Sequence, residues 1–220
     1  MRKNYLISLL ALSAMAVSAS SMAKENVTVS GSTTVLPVMQ KISEHLMQKD
    51  PSVVIALSGG GSGNGIKALN EQLTQIAMSS RKIKDKEMKA AEEKGVKPFE
   101  IPVAVDAIVP IVNPKNSLKN LSLDDLRKIY KGEIKNWKEV GGPDAPIVLV
   151  SRDTSSGTFE TWESLVMKNQ RVSPRALLQS SNGTVVQTVS RNPNAIGYVG
   201  LGYVVPIIKA VEINGIKAHP

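Results

Sequence analysis

The sequence predicts an α/β protein built on a mostly parallel sheet, and three observations carry that expectation. Short apolar runs alternate with segments of helical periodicity through the first half of the chain. Several of those runs end in a stretch dense in hydroxyls and glycines, just before a helical pattern begins. Aromatic residues make up only 4% of the 220 residues, so the core must be aliphatic, as buried parallel strands favour.

The elements follow in order. Val27 to Ser30 alternates apolar and polar residues as a strand does, and Val35, Met39, Ile42 and Leu46 then share one helical face. Pro37 is tolerable there because it falls in the first turn. Val53 to Leu57 is a continuous apolar run suited to a buried parallel strand. Ile66, Leu69 and Leu73 mark the next helix, Gln75 to Met78 a third strand, and Asp85 to Lys94 a charged surface helix closed by Gly95. Ile101 to Val105 and Ala107 to Val112 read as two strands interrupted by Asp106. Ser122 with Asp125 predicts a capped helix through Tyr130, followed by an irregular loop from Gly132 to Gly142 that holds Trp137. Ile147 to Val150 is a strand. Phe159, Trp162, Leu165 and Val166 are the buried stripe of the helix after it. Asn182 caps a helix carrying Val186 and Val189, and Ala195 to Val199 and Val204 to Ile208 return to strand.

The first residues read as an export signal, with Arg2 and Lys3 before an apolar stretch from Tyr5 to Val17 and a small-x-small site at Ser21-Met22-Ala23. Cleavage after Ala23 would send a soluble protein to the periplasm or outside the cell. That apolar stretch is shorter than the roughly 20 residues a spanning helix needs. There is no cysteine, so neither a disulfide nor a lipidated cysteine is available. The formal net charge is +8. The lysines at 82, 84, 86, 89 and 94 alternate with Asp85, Glu87, Glu92 and Glu93, which describes a solvated face rather than a nucleic-acid groove.

Three motifs carry the chemistry: Gly31-Ser32-Thr33-Thr34, Gly59 to Gly65, and Arg152 to Thr158. Each sets hydroxyls and backbone N–H groups before a helix N-terminus, where the dipole favours negative charge. Ordinary N-capping would explain one hydroxyl of Ser32, Thr33 and Thr34 but not three. The glycine run is no Walker loop, since Gly65 is followed by Ile66 and not by Lys-Ser or Lys-Thr. Gly63-x-Gly65-x-x-Ala68 matches a dinucleotide fingerprint only loosely, with no acid placed for a ribose. What survives is a loop that lets backbone approach an anion, with Ser62 donating. Arg152 ahead of Ser155, Ser156, Gly157 and Thr158 offers a guanidinium suited to two oxygens of a tetrahedral anion; a surface arginine beside a capped helix is the plainer alternative.

Asp106 stands inside an apolar stretch and needs a partner if buried. Beside an anion it would repel, unless the ligand brings a proton to donate. Hydrogenphosphate has one at neutral pH and sulfate has none, so a carboxylate acceptor would select between them. A bond to Arg81, or a turn between two strands, would equally explain it. Catalysis is poorly supported. His45 and His219 neighbour no serine motif, no Gly-x-Ser-x-Gly elbow exists, and Ser79 to Lys82 matches Ser-x-x-Lys without companion motifs. No metal-ligand spacing occurs and no cofactor is expected.

In this order the motifs resemble the substrate-binding proteins of bacterial high-affinity phosphate ABC transporters. The likeness runs from Val27 through Pro37, Gly61 to Lys67, Met78 to Arg81, Val105-Asp106, Asn136-Trp137 and Arg152 to Thr158, to Gly197-Tyr198-Val199 and Val211 to Gly215. The resemblance implies a two-lobed, hinged periplasmic-binding-protein fold of the type II (Venus flytrap) kind, with mixed sheets. Such a protein is a monomer that binds one dehydrated phosphate ion, hands it to an inner-membrane permease and catalyses nothing.

Carried over, the anion contacts would be Ser32, Thr34, the Val35 backbone, Ser62, Arg152, Ser156, the Gly157 backbone and Thr158. Thr33, Arg81 and Ser155 join them as candidates from the same motifs, and Asp106 becomes the proton acceptor. Family members place an aspartate after the third strand, where this chain has Arg81, which leaves both roles open. They also continue several tens of residues beyond Asn214-Gly215, so the chain reads as a fragment or a short form. The expected division is a signal at 1–23, a first lobe of 24–105 plus 194–220, and a second lobe of 106–193. Rivals are the same fold holding sulfate, molybdate or tungstate, a secreted phosphatase or esterase, and a sensor or adhesin that has lost transport.

Overall fold

The computed structural model describes residues 25–219; the expected export signal lies outside them. Two β-sheets organise the chain. The first is three-stranded and wholly parallel, in the order β2-β1-β3. It consists of β1 (Glu25–Gly31), β2 (Val53–Gly59) and β3 (Ile76–Met78). Between them run α1 (Leu36–Lys49) and α2 (Ser62–Asn70), and α3 (Asp85–Glu92) follows. Pro37 sits in the first turn of α1, where its missing N–H leaves no bond unmade.

The second sheet is five-stranded and mixed, in the order β7-β6-β8-β4-β9. Its strands are β4 (Ile108–Val112), β6 (Val148–Arg152), β7 (Leu177–Gln179), β8 (Ala195–Gly200) and β9 (Lys209–Ala210). β6 runs parallel to β7 and β8, while β4 runs antiparallel to β8 and β9. A short parallel pair, β5 (Asn120–Leu121) with β10 (Glu212–Ile213), lies apart. The helices here are α4 (Leu123–Lys131), α5 (Gly157–Leu165) and α6 (Asn182–Arg191). The Ser122 hydroxyl accepts from the Asp125 N–H at 2.9 Å, as the capping pattern predicts.

The two extended apolar clusters both belong to this second lobe. One gathers Tyr130, Trp137, Trp162, Met167 and Tyr198, with Trp162 stacked on Tyr198 at 4.0 Å. The other packs Val185, Val186 and Val189 of α6 against Val109, Ile111, Val150 and Val199. Among the described residues no helix is long and apolar enough to cross a membrane.

Several expectations need correction. β8 and β9 pair with β4 and β6, so the segment from 194 does not rejoin the first sheet. Ile101 to Val105 pairs with no strand and is exposed, and Pro102 within it has no N–H to give to a ladder. Val204 to Ile208 is a short turn rather than a strand, interrupted by Pro206. β2 is an edge strand of alternating half-burial, not a buried one. Leu165 ends α5 facing solvent, while Trp162 carries the buried stripe. Ser181, not Asn182, caps α6.

Candidate functional site

Parallel strands deliver their carboxyl ends to one side of a sheet, and ligands collect beyond those ends. Here β1, β2 and β3 end at Gly31, Gly59 and Met78, and β6 and β7 at Arg152 and Gln179. Every one of these ends leads into a polar stretch, and the five stretches meet.

From the first lobe come Thr33 and Thr34. The Thr34 hydroxyl lies 2.9 Å from that of Thr158 at the start of α5. Ser62 opens α2, is fully buried, and has its Oγ 3.3 Å from Ser80 Oγ. Neither α1 nor α2 has a side-chain cap; in α1 the Leu36 and Val38 N–H groups already donate to the Ser32 and Val35 carbonyls, so it is α2 whose first-turn N–H groups are left for another acceptor. At α2 one of them, on Gly63, already donates across to the Ser155 carbonyl at 2.9 Å. Ser155 returns the contact, its hydroxyl lying 3.1 Å from the Gly60 carbonyl and also bonding Asp153.

Gly157 is required by this approach. A Cβ there would stand 2.7 Å from Ser80 Oγ and closer still to Ser62 Oγ. Alanine is otherwise the better helix former by about 1 kcal/mol. We therefore expect Gly157→Ala to keep or raise the melting temperature of the second lobe while weakening ligand binding by roughly tenfold or more. Titration calorimetry beside thermal unfolding checks it; unchanged affinity would mean the lobes need not meet there.

Arg152 is 1% exposed at the end of β6. Its Nε donates to the Gln179 carbonyl and its Nη2 to the Ser180 carbonyl, both at 3.0 Å. Its Nη1 is buried without a partner, and no carboxylate pairs with it among the described residues. Burial pulls its pKa below the ordinary value, against an opposing pull from Asp153, the buried Tyr198 and the half-buried Tyr203. Tyr203 in turn donates to the Thr33 carbonyl at 2.5 Å. A desolvated cation with an unmade hydrogen bond is unfavourable unless an anion completes it.

The candidate residues thus divide. Thr33, Thr34, Ser62, Ser155, Gly157, Thr158 and Arg152 converge. Ser32 is buried, and its hydroxyl accepts the Thr34 N–H at 3.2 Å, which leaves its own proton to donate. Ser156 spends its hydroxyl capping α5, accepting from Phe159 N–H at 3.2 Å. Val35 takes the capping position of α1, where only its backbone is polar.

Arg81 lies elsewhere. Its Nη1 and Nη2 donate to Glu87 at 2.8 and 2.7 Å, its Nε sits 2.8 Å from Glu160, and Lys84 reaches Glu160 at 2.5 Å. Two carboxylates and the Lys82 carbonyl hold its guanidinium, so it clasps α3 to α5 across the two lobes. Asp106 accepts the Leu201 N–H at 3.1 Å, and its Oδ2 abuts Gly200 on the methyl side of Thr34. Burial raises its pKa. Among the described residues it makes no hydrogen bond to a hydroxyl of the cluster, although its carboxylate stands beside Thr34.

Two residues of the cluster were missed, Ser80 and Asn182. The signal was present in both cases. Ser79-Ser80 closes β3, and Ser180-Ser181-Asn182-Gly183 closes β7. Each is the same hydroxyl-rich strand end that marks Thr33 and Thr34.

This geometry defines a class: a two-lobed α/β binding protein whose facing strand ends enclose a donor-rich, poorly solvated place for an oxyanion. Residues 16–213 match the PBP superfamily domain. The chain is 34% identical over 184 residues to "Phosphate-binding protein PstS" of Borreliella burgdorferi, covering 80% of this chain and 64% of that one. To the protein of the same name in Bacillus subtilis it is 34% identical over 196 residues, with shares of 89% and 64%. It therefore spans a little under two thirds of the length of these curated relatives. A putative phosphate ABC transporter substrate-binding protein from Clostridium perfringens, solved with bound phosphate, superposes with a TM-score of 0.82 at 38% identity. That match covers 89% of this chain and 79% of the other. An ABC-type phosphate transport receptor from Vibrio cholerae follows at 0.64 and 35% identity, with shares of 88% and 78%. The chain belongs to the PBP superfamily, in the family of phosphate ABC transporter substrate-binding proteins.

Proposed function

We propose that the chain binds inorganic phosphate between its lobes outside the cytoplasm and delivers it, as a monomer, to a membrane ABC importer without chemical turnover. The observation that carries this reading is the buried Arg152, whose free Nη1 and lack of a carboxylate partner call for an anion. Around it, hydroxyls and helix N-termini supply directional donors, so each ligand oxygen can be satisfied without a second cation. The four similar proteins described above, each named for phosphate binding or transport, support the choice of ion. Ser32, Val35, Ser62, Ser80 and Ser156 to Thr158 would complete the shell, and separation of the lobes would admit the ion.

One observation favours a broader oxyanion specificity. Ser80 stands next to Ser62, Asp106 accepts from Leu201 and Asp153 from Ser155, so no carboxylate is bonded to Thr33, Thr34, Ser62 or Thr158. A hydroxyl can accept a proton from phosphate, but it can also donate to sulfate, which blunts the discrimination. We expect phosphate to bind more tightly than sulfate by roughly tenfold, about 1.4 kcal/mol. Titration calorimetry with both anions tests the assignment, and equal affinities would return the site to the wider oxyanion class. Release of chromophore from a phosphate ester should stay at background; saturable turnover would favour the phosphatase reading.

A further inference from the structure

From the bonding of Asn182 we infer that this residue is a positioning residue that fixes the direction in which the threonine hydroxyls of the site donate. The inference rests on the phosphate reading above and goes beyond it. Asn182 is fully buried and occupies the first helical position of α6, with Ser181 before it as the cap. That leaves its amide free to reach across to the first lobe. Nδ2 donates to Thr33 Oγ1 at 3.1 Å and to Thr34 Oγ1 at 2.9 Å. The backbone N–H of Asn182 also donates to Thr33 Oγ1, at 3.3 Å. Oδ1 accepts the Gly200 N–H at 3.3 Å.

The orientation of the amide follows from the last of these bonds. A backbone N–H can only donate, so the atom facing Gly200 must be the oxygen, and the NH₂ must face the threonines. Both amide protons are then spent on threonine oxygens. Thr33 Oγ1 has two lone pairs, and Asn182 fills both of them. Its own proton must therefore be donated elsewhere. At Thr34 the amide fills one lone pair, and the contact with Thr158 uses one of the two hydroxyl protons of that pair. The other proton is left over, whichever oxygen holds it. Asn182 thus turns the threonine cluster into a set of donors with no acceptor of their own, which is what an anion requires and a neutral ligand does not. Through the same bonds it ties the start of α6 to the start of α1.

The expected result is an inversion of two orders. Asn182→Asp keeps the shape and the acceptor for Gly200 N–H, but it presents an oxygen where the NH₂ was. It would accept from Thr33 and Thr34, capture the protons meant for the ligand and add negative charge. Asn182→Ala removes every side-chain bond at once. If Asn182 were merely structural, alanine would be the worse variant in both folding and binding. If it sets donor direction, Asn182→Asp melts at or above Asn182→Ala yet binds phosphate more weakly. We expect losses of roughly 100-fold or more for Asp and about tenfold for Ala.

Calorimetric titration of inorganic phosphate into wild type and both variants, with thermal unfolding of each, decides the matter. A wild-type chain that binds no phosphate overturns the function and this inference with it. Wild-type binding with Asp equal to or better than Ala overturns the inference alone. Should Asn182→Asp fail to fold, Asn182→Ser, too short to reach both threonines, keeps the test. A roughly tenfold loss at an unchanged melting temperature supports the role, and unaltered affinity refutes it.

Discussion

Replacing Arg152 with methionine is expected to weaken phosphate binding severely while the protein stays folded. Truncating one partner of a buried, hydrogen-bonded charge pair typically costs 2–5 kcal/mol, so a loss of about 30-fold to a few thousandfold is expected. The effect on folding should be small and could have either sign. Burial already works against the guanidinium in the free protein, and its charge meets no carboxylate. A linear apolar side chain of similar length removes that desolvated charge. Against this, the Ser180 carbonyl loses its donor, at about 1–3 kcal/mol if it stays dry, while the Gln179 carbonyl keeps the Asp153 N–H at 3.2 Å.

The sharper readout is the response to ligand. Phosphate at about 100 times its Kd should stabilise the wild type by roughly 2.7 kcal/mol and move Arg152→Met far less. A variant whose melting temperature rises with phosphate as far as the wild type's would remove Arg152 from the site and with it the main support for an oxyanion ligand.

That Arg152 could be singled out from sequence at all has a physical reason, and so do the failures. Strand ends in a parallel sheet are marked by an abrupt change from apolar to hydroxyl-rich residues, which is local and therefore readable. Gly31 to Thr34 and Arg152 to Thr158 were visible for that cause. Ser80 and Asn182 follow the same rule, but Arg81 beside one and the capping preference of asparagine for the other supplied a competing explanation. Only the fold decides between neighbours in such cases. Arg81 is removed from the cluster by Glu87 and Glu160, the second of which lies 79 positions away in the chain and cannot be paired by inspection. Asn182 is released from capping because Ser181 does that work. Ile101 to Val105 is an apolar run of strand length apart from Pro102, yet a strand is a property of a pair, and no partner stands beside it. The same limit applies to sheet membership. Ala195 to Val199 is a strand by its own sequence, but which sheet it joins depends on register with β4 and β6, which is set by packing at long range.

The uneven distribution of apolar packing predicts that the two lobes unfold separately. Both extended clusters, and both tryptophans, Trp137 and Trp162, are in the second lobe. The first lobe buries Val29, Ile66, Met78 and Ala91, yet it leaves Val38, Ile42 and Leu46 exposed along one face of α1. Beyond α3, Phe99 at 82%, Ile101 at 69% and Val105 at 101% exposure alternate along an unpaired stretch. A fully buried side chain of this size contributes about 1.5–3 kcal/mol, so the first lobe forgoes several such contributions while its backbone ordering costs the same per residue.

Amide exchange in β1, β2 and β3 should therefore be faster than in β6 and β8 by roughly 100-fold or more, and a hydrophobic dye should bind the native protein. In denaturant, tryptophan fluorescence should report a later midpoint than far-UV circular dichroism, because the fluorophores see only the second lobe. Phosphate should draw the two transitions together. An ion held by Thr34 and Ser62 on one side and by Arg152 and Thr158 on the other binds only when both lobes are folded, so its binding energy is added to the weaker of them. Coincident midpoints without ligand would show that the hydrogen bonds from Asn182, Tyr203 and Ser155 already couple the lobes into one cooperative unit. Midpoints that stay apart at saturating phosphate would show that the ion is held by one lobe alone.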